Sequence, residues 1–124
     1  MVKSVTYEDL TSVAFEKYIH LTTSGRKTGK PHNVELWFAV GGNRVYLSHE
    51  GEETDWVKNM KKNRSVKFEI GGRTFIGNAR LLEDHTEEAW TAKMVLYEKY
   101  YGKAAKEIIE DWFSLSKLVA VELA

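Results

Sequence analysis

Cysteine is absent from the 124-residue chain, and proline occurs only once, at Pro31. Without cysteine the chain can form no disulfide, offer no thiolate nucleophile and bind no metal through sulfur. The sequence also lacks an apolar run of the ~20 residues that a membrane-spanning helix needs, and Met1 to Asp9 do not resemble a signal peptide. We therefore expect a soluble cytoplasmic protein without a membrane span.

An excess of charge of either sign is also missing. Lys and Arg total 18, Asp and Glu total 18, and the formal net charge is zero with neutral histidine. A nucleic-acid-binding domain usually carries a basic excess, so nucleic acid is not an expected partner. The length is typical of one domain, and a hydrophobic content of 43% suffices for one core, which predicts a single domain over residues 1–124.

The reactive side chains form no catalytic or metal-binding pattern. The four histidines, His20, His32, His49 and His85, lack close ligand spacing, so no metal site is predicted. Ser48 and His49 are neighbours in a predicted strand and therefore point to opposite faces, which argues against a nucleophile and its base. If the protein is an enzyme, we expect a bound cofactor to carry the reaction.

Short apolar segments separated by glycines predict a mainly antiparallel sheet. The pairs Gly41-Gly42 and Gly71-Gly72 each lie between two such segments and are typical of hairpin turns. Six strands are predicted, over residues 15–22, 32–40, 45–48, 65–70, 73–82 and 118–123. Six such strands with inserted helices in a small α+β domain favour a β-barrel over a parallel doubly wound sheet.

Three helical segments are predicted among the strands. The first covers residues 55–62 after Thr54 as N-cap, and the second begins near Glu87, after Asp84 or Thr86, and ends at Gly102. A third covers roughly residues 103–113. The apolar stripe predicted for the second helix consists of Trp90, Met94, Tyr97 and Tyr101. We assign two tryptophans to the core, Trp90 and Trp112.

The segment 24–32 (SGRKTGKPH) contains three lysine or arginine residues and a histidine within nine positions. Gly25 and Gly29 allow backbone N–H groups to approach an anion, and arginine can bind phosphate through two N–H groups. The alternative is a solvated basic turn. The segment is not a P-loop, because three residues rather than four separate the glycines and Pro31 follows Lys30.

Aromatic residues are plentiful, with four tryptophans and six tyrosines. Such side chains can line a pocket for a flat ring system, although most aromatic side chains simply belong to a core. Trp37 and Trp56 lie beside the segments that we assign to cofactor binding. For Trp37 and Trp56, the sequence is compatible with either a ligand contact or a position in the core.

Three blocks resemble the deazaflavin (coenzyme F-420)-dependent nitroreductase family: residues 21–31 (LTTSGRKTGKP), 46–60, and 70–80 (IGGRTFIGNAR). The resemblance implies a flavin-reductase-like, FMN-binding type of split β-barrel. It further implies an oxidoreductase that transfers a hydride from reduced F-420 to a small electron acceptor, a quinone, enone or nitro compound. The alternatives are an FMN-dependent reductase and a non-catalytic protein that binds a flavin or lipid-like ligand. By analogy we expect a homodimer.

The resemblance also implies the site residues. The cofactor phosphate would lie on the cationic segment, at Arg26, Lys27, Thr28, Gly29 and His32. The ring system and the adjoining helix would involve Glu35, Trp37, Ser48, His49, Trp56 and Asn59. Tyr97, with Tyr100 or Tyr101, roughly matches tyrosines of the family's substrate pocket, and no residue is required as an acid or base. The chain departs from the family at three positions, where arginine, proline and glycine are replaced by His32, Glu35 and Glu50.

Overall fold

The computed structural model describes residues 7–50, 54–102 and 116–123. Within these residues the helices are α1 (Tyr7–Ser12), α2 (Asp55–Lys62) and α3 (Glu87–Tyr101). The strands are β1 (Ile19–Ser24), β2 (Pro31–Leu36), β3 (Ala39–Gly41), β4 (Arg44–Glu50), β5 (Ser65–Ile70), β6 (Arg73–Leu81) and β7 (Ser116–Leu123). The predicted helix over 103–113, with Trp112, lies outside the described residues.

All neighbouring strands pair antiparallel in one sheet, in the order β2-β1-β5-β6-β7-β4-β3. The two edge strands, β2 and β3, are consecutive in the chain and only Trp37 and Phe38 separate them. The sheet must therefore curl until its edges meet at this point. The predicted split β-barrel is confirmed.

The described residues contain seven strands rather than six, because the predicted strand over 32–40 is broken at Phe38. The Phe38 backbone N–H donates to the Tyr100 hydroxyl at 2.9 Å instead of continuing the pairing with β1. The first strand is also shorter than predicted. Its expected start at Phe15 lies in a turn in which the Glu16 N–H donates to the Val13 carbonyl, and Phe15 is 79% exposed.

The barrel interior follows from alternation along the strands. In β5, Val66, Phe68 and Ile70 are buried and the residues between them are exposed. The Phe68 ring stacks on that of Phe75 in β6, with centroids 5.2 Å apart. This inward face and the buried side of α2 form the main core.

Helix α3 packs on the outside of the barrel, and of the predicted stripe Tyr97 is buried whereas Trp90 and Tyr101 are exposed. Thr86 caps the helix as expected, because its side chain accepts a hydrogen bond from the Ala89 N–H. The small side chains of Ala89 and Ala92 take the positions against the sheet, together with Leu96. Trp90 is 59% exposed, so its assignment to the core was wrong.

Candidate functional site

The cationic segment forms a closed bend between β1 and β2. The Gly25 N–H donates to the Lys30 carbonyl at 2.7 Å, and the Gly29 N–H donates to the Gly25 carbonyl at 2.8 Å. Gly29 has φ +73°, a conformation that residues with a Cβ rarely adopt. The Thr28 hydroxyl accepts the Lys30 N–H at 3.3 Å. These bonds fix the backbone of residues 25–30 into one compact turn.

Helix α2 holds this bend through Asn59, which is 33 residues away in sequence from Arg26. The Asn59 Oδ1 accepts hydrogen bonds from the Arg26 backbone N–H at 3.1 Å and from its guanidinium at 2.9 Å. The Asn59 Nδ2 donates to the Thr23 hydroxyl at 3.3 Å, and Asn59 is 2% exposed. A second, longer contact of 3.4 Å joins the Arg26 guanidinium to Asp55. Arg26 is therefore positioned before any ligand arrives.

The bend and α2 enclose a cleft of ≈ 260 Å³, lined by Gly25, Arg26, Lys27, Thr28, His32, Asp55 and Asn59. Lys27 and Thr28 are exposed, and their backbone N–H groups donate no hydrogen bond within the described residues. Exposed N–H donors beside two cations and one carboxylate suit a small anion such as a phosphate. The donor set therefore fits the phosphate of F-420 or FMN.

His32 lies directly against Gly25 at one wall of the cleft. A Cβ on Gly25 would lie 2.8 Å from the His32 Nε2, so only glycine permits this approach. His32, which replaces the family's arginine, is thus among the residues that line the cleft. It lines the cleft together with Arg26, Lys27 and Thr28, whereas Gly29, also predicted to hold the phosphate, belongs to the bend but does not line the cleft.

Trp56 and His49 lie deeper, inside the barrel rather than in the wall of the cleft. Trp56 is 7% exposed and His49 is 6% exposed, and their rings meet edge to face with centroids 6.2 Å apart. Ser48 is half-buried and pairs with Leu118 of β7. Trp56 thus belongs to the main core, and the cleft residues that α2 contributes are Asp55 and Asn59.

Glu35 does not join the residues of the cleft. On β2, Val34 and Leu36 pack against the barrel core, so Glu35 between them lies on the outer face. Its Oε2 is 3.7 Å from the Nε2 of His20, and its side chain is 55% exposed. An acidic residue is therefore compatible with the cationic bend, because it lies on the opposite face of the sheet.

Trp37 lies six residues beyond Pro31, at the other end of β2. A strand rises ~3.3 Å per residue, which separates Trp37 from the bend by about 20 Å. The Trp37 ring stacks on Tyr100 with centroids 4.2 Å apart and an angle of 4°, and it meets Tyr101 edge to face at 6.0 Å. Tyr101 in turn stacks on Tyr97 at 5.6 Å. We call these four residues, Trp37, Tyr97, Tyr100 and Tyr101, the aromatic cluster.

The structure thus gathers most of the predicted site residues in two places, whereas Glu35, Ser48, His49 and Trp56 belong to neither. The bend and α2 form the cationic cleft, and the end of β2 with the last turns of α3 forms the aromatic cluster. The sequence did not indicate Asp55 as a lining residue, nor Lys99, whose Nζ lies 3.5 Å from the Phe38 ring centroid beside the cluster. For Lys99 no sequence signal exists, because its burial depends on the break between β2 and β3.

A family model described as F420H(2)-dependent quinone reductase matches residues 6–110, most of the chain. The chain belongs to this family. The predicted deazaflavin dependence and the assignment as an enzyme are confirmed at this level: the chain is an F420-dependent oxidoreductase. The family description names a quinone reductase, so it does not bear on the nitroreductase part of the prediction.

Solved structures share the fold at low sequence identity. A conserved hypothetical protein of Mycobacterium tuberculosis matches with a TM-score of 0.77 and 19% identity, over 97% of this chain and 81% of its own. The heme storage protein HutZ of Vibrio cholerae gives 0.73 and 16%, over 94% and 89%. A structure named as an F420-H2-dependent reductase gives 0.69 and 22%, over 85% and 93%. These likenesses support the split-barrel fold.

No described helix is both long and apolar enough to cross a membrane. In the part of the chain that the structure covers, no group of three or more histidine, aspartate or glutamate side chains is placed to hold a metal ion.

Proposed function

We propose that the chain uses reduced F420 to reduce a quinone, with the cofactor phosphate held in the cationic cleft and the acceptor at the aromatic cluster. The observation that carries the proposal is the double hydrogen bond from Arg26 to Asn59. It fixes a guanidinium beside the N–H groups of Lys27 and Thr28, for which no described residue is an acceptor, at one point on the surface. Such preorganisation lowers the entropy lost when an anion binds.

The cationic cleft and the aromatic cluster have separate roles. When bound, reduced F420 supplies a hydride from C5 of its ring system. The cleft residues bind and orient the molecule through its phosphate. Trp37, which is 40% exposed, offers a flat apolar surface to the acceptor and keeps water from it.

Affinity for the cofactor tests the phosphate site directly. The Arg26→Ala/Lys27→Ala double variant removes two cations, and charge-assisted hydrogen bonds contribute ~1.5–3 kcal/mol each. We expect the Kd for F420 to rise at least about tenfold. Lys62→Ala, an exposed lysine at the end of α2, is the matched control and should leave the Kd unchanged. An unaltered Kd in the double variant would refute the assignment.

A parallel titration of the cofactor-free protein with FMN separates the two flavin alternatives. Tighter binding of FMN than of F420 would favour the FMN-dependent reductase. Turnover is then measured with menadione, an enone and a nitroaromatic compound by following the oxidation of reduced F420. Quinone turnover supports the proposal, whereas binding of F420 without turnover of any of the three would support the non-catalytic alternative.

We also propose that the chain is one domain that works as a homodimer in the cytoplasm. Another similar solved structure, with a TM-score of 0.69 and 22% identity, is described as a domain-swapped dimer, which supports the homodimer by analogy. Sedimentation velocity at micromolar concentration tests the oligomeric state. A monomer at all concentrations would contradict the proposal.

A further inference from the structure

Lys99 has an unusual environment in the last turn of α3. Its Nζ is fully buried, lies 3.5 Å from the centroid of the Phe38 ring and 5.3 Å from that of Tyr100, and has no hydrogen-bond partner within the described residues. An ammonium group has three donors, and leaving them all unused away from water is costly. Cation–π attraction to Phe38 offsets only part of that cost.

Within the described residues, few charged or titratable groups surround this ammonium. Glu16, in the turn before β1, stabilises the charged form through space, and burial has the larger, opposite effect, so that the pKa of Lys99 is lowered to about 8. Tyr100 on the same helix, with Tyr18 near it, is neutral at this pH, and burial raises the pKa of the Tyr100 hydroxyl. Lys17 contributes its backbone carbonyl, which accepts from that hydroxyl at 2.7 Å.

The aromatic cluster connects this buried ammonium to solvent. One neighbour, Tyr100, is in contact with Lys99 and also stacks on Trp37. Trp37 is 40% exposed and Tyr101 is 38% exposed, so a flat ligand can reach the cluster from outside. The Tyr97 hydroxyl is likewise buried without a hydrogen-bond partner within the described residues. Two unused buried donors beside exposed rings match an aromatic ligand that carries oxygen acceptors.

We propose that Lys99 donates a proton to the oxygen of a quinone that is reduced at the aromatic cluster. This inference rests on the proposed function, which supplies the two electrons as a hydride. Hydride addition converts the quinone to the hydroquinone monoanion. The Lys99 ammonium then gives one proton to the anionic oxygen, which yields the neutral hydroquinone, and the Lys99 amine regains a proton from water. Because no described residue holds the ammonium by a hydrogen bond, the side chain can move away from the Phe38 ring toward the oxygen.

Steady-state kinetics over pH 6–10 with menadione tests the role. A positioned general acid contributes roughly 10²–10⁴-fold to the rate. In the wild type, we expect kcat to fall as the pH rises through about 8. Lys99→Met should lower kcat at pH 7 by about 100-fold and abolish that titration. Lys99→Arg keeps the positive charge and therefore controls for misfolding of the Lys99→Met variant. It should still lose the proton transfer to the quinone oxygen, because arginine does not deprotonate in this pH range. Lys62→Met is the control.

A second measurement does not depend on F420. The probe is 2-hydroxy-1,4-naphthoquinone, a stable aromatic anion at neutral pH, added to cofactor-free protein with ¹³C-labelled lysine. We expect it to raise the pKa of Lys99 in an NMR titration and to quench tryptophan fluorescence in a manner that Trp37→Phe removes. Lys99→Met should weaken its binding about tenfold, the loss of one charge-assisted hydrogen bond.

The outcomes separate the two proposals. If the protein binds F420 and reduces menadione but Lys99→Met leaves kcat, its pH profile and probe binding unchanged, the role of Lys99 is overturned and the proposed function stands. If F420 is neither bound nor oxidised but the probe shifts the pKa of Lys99, the proposed function fails and the oxygen-binding site at the cluster is supported.

Discussion

The Tyr100 hydroxyl joins the Phe38 backbone of the strand break to the Lys17 carbonyl. It accepts the Phe38 N–H at 2.9 Å, and its oxygen lies 2.9 Å from the Phe38 carbonyl and 2.7 Å from that of Lys17. The single hydroxyl proton can donate to only one of these carbonyls at a time. This single side chain therefore fixes the break between β2 and β3 and, through its ring, the orientation of Trp37.

Tyr100→Phe should destabilise the protein without altering the ring stack. The change leaves the partly buried Phe38 N–H unpaired, and such a loss costs ~1–3 kcal/mol. Urea unfolding should show a lower midpoint with an unchanged m-value. Tyr18→Phe, which removes the hydroxyl of a tyrosine that is 41% exposed, is the control. Equal midpoints for wild type and Tyr100→Phe would show that the hydroxyl does not stabilise the break.

Asn59→Ala tests whether Arg26 needs its buried partner. The variant leaves all charges in place but removes the acceptor of two Arg26 hydrogen bonds. We expect the Kd for F420 to rise about tenfold, because the freed guanidinium must be ordered during binding. The control is Asn63→Ala, which changes the residue that follows α2 and should leave the Kd for F420 unchanged. Weaker binding in both variants would point to general damage to α2 rather than to a positioning role.

Much of this architecture follows from local patterns, and the exceptions have a common cause. The Gly71-Gly72 hairpin, the helix over 55–62 and the Thr86 cap depend on neighbouring residues, so the sequence predicts them well. The break at Phe38 and the exposure of Trp90 depend on contacts with distant residues. No pattern within residues 32–40 indicates that Tyr100, 62 residues away, takes over a backbone hydrogen bond.

The candidate site shows the same division. The cationic bend is visible in the sequence because its glycines and cations are contiguous. That Asn59 fixes Arg26, and that Glu35 lies on the outer face, follow from strand register and helix packing. The aromatic cluster was predicted only in part, since the break between β2 and β3 is what places Trp37 on Tyr100.

Gly29→Ala should loosen the bend. Gly29 has φ +73° and open space around its Cα, so the cost of a Cβ is backbone strain rather than a steric clash. That strain amounts to ~1–2 kcal/mol for a residue other than glycine or asparagine. We expect a lower urea midpoint and weaker F420 binding. Asparagine tolerates the left-handed conformation better than alanine does, so the urea midpoint and F420 affinity of Gly29→Asn should lie between those of the wild type and Gly29→Ala. If both substitutions behave like the wild type, the bend does not need glycine.

Glu88 should make stability depend on pH in the acid range. Its hydrogen bond with Arg80, at 2.5 Å, holds the pKa of the Glu88 carboxyl below its usual value, and Arg44 adds to this effect. Because the pKa is lower in the folded state than the ~4.3 of unfolded glutamate, the stabilisation is complete above that value. It is lost as the pH falls through the folded pKa.

Glu88→Gln should therefore reduce the free energy of unfolding at pH 7 but not at pH 2. The side chain is 27% exposed, which limits the expected loss to ~0.5–1 kcal/mol. Urea unfolding of both proteins at the two pH values measures the difference, and Glu87→Gln, in an exposed position of the same first turn, is the control. A deficit of the same size at pH 2 would assign the effect of Glu88 to packing rather than to its charge.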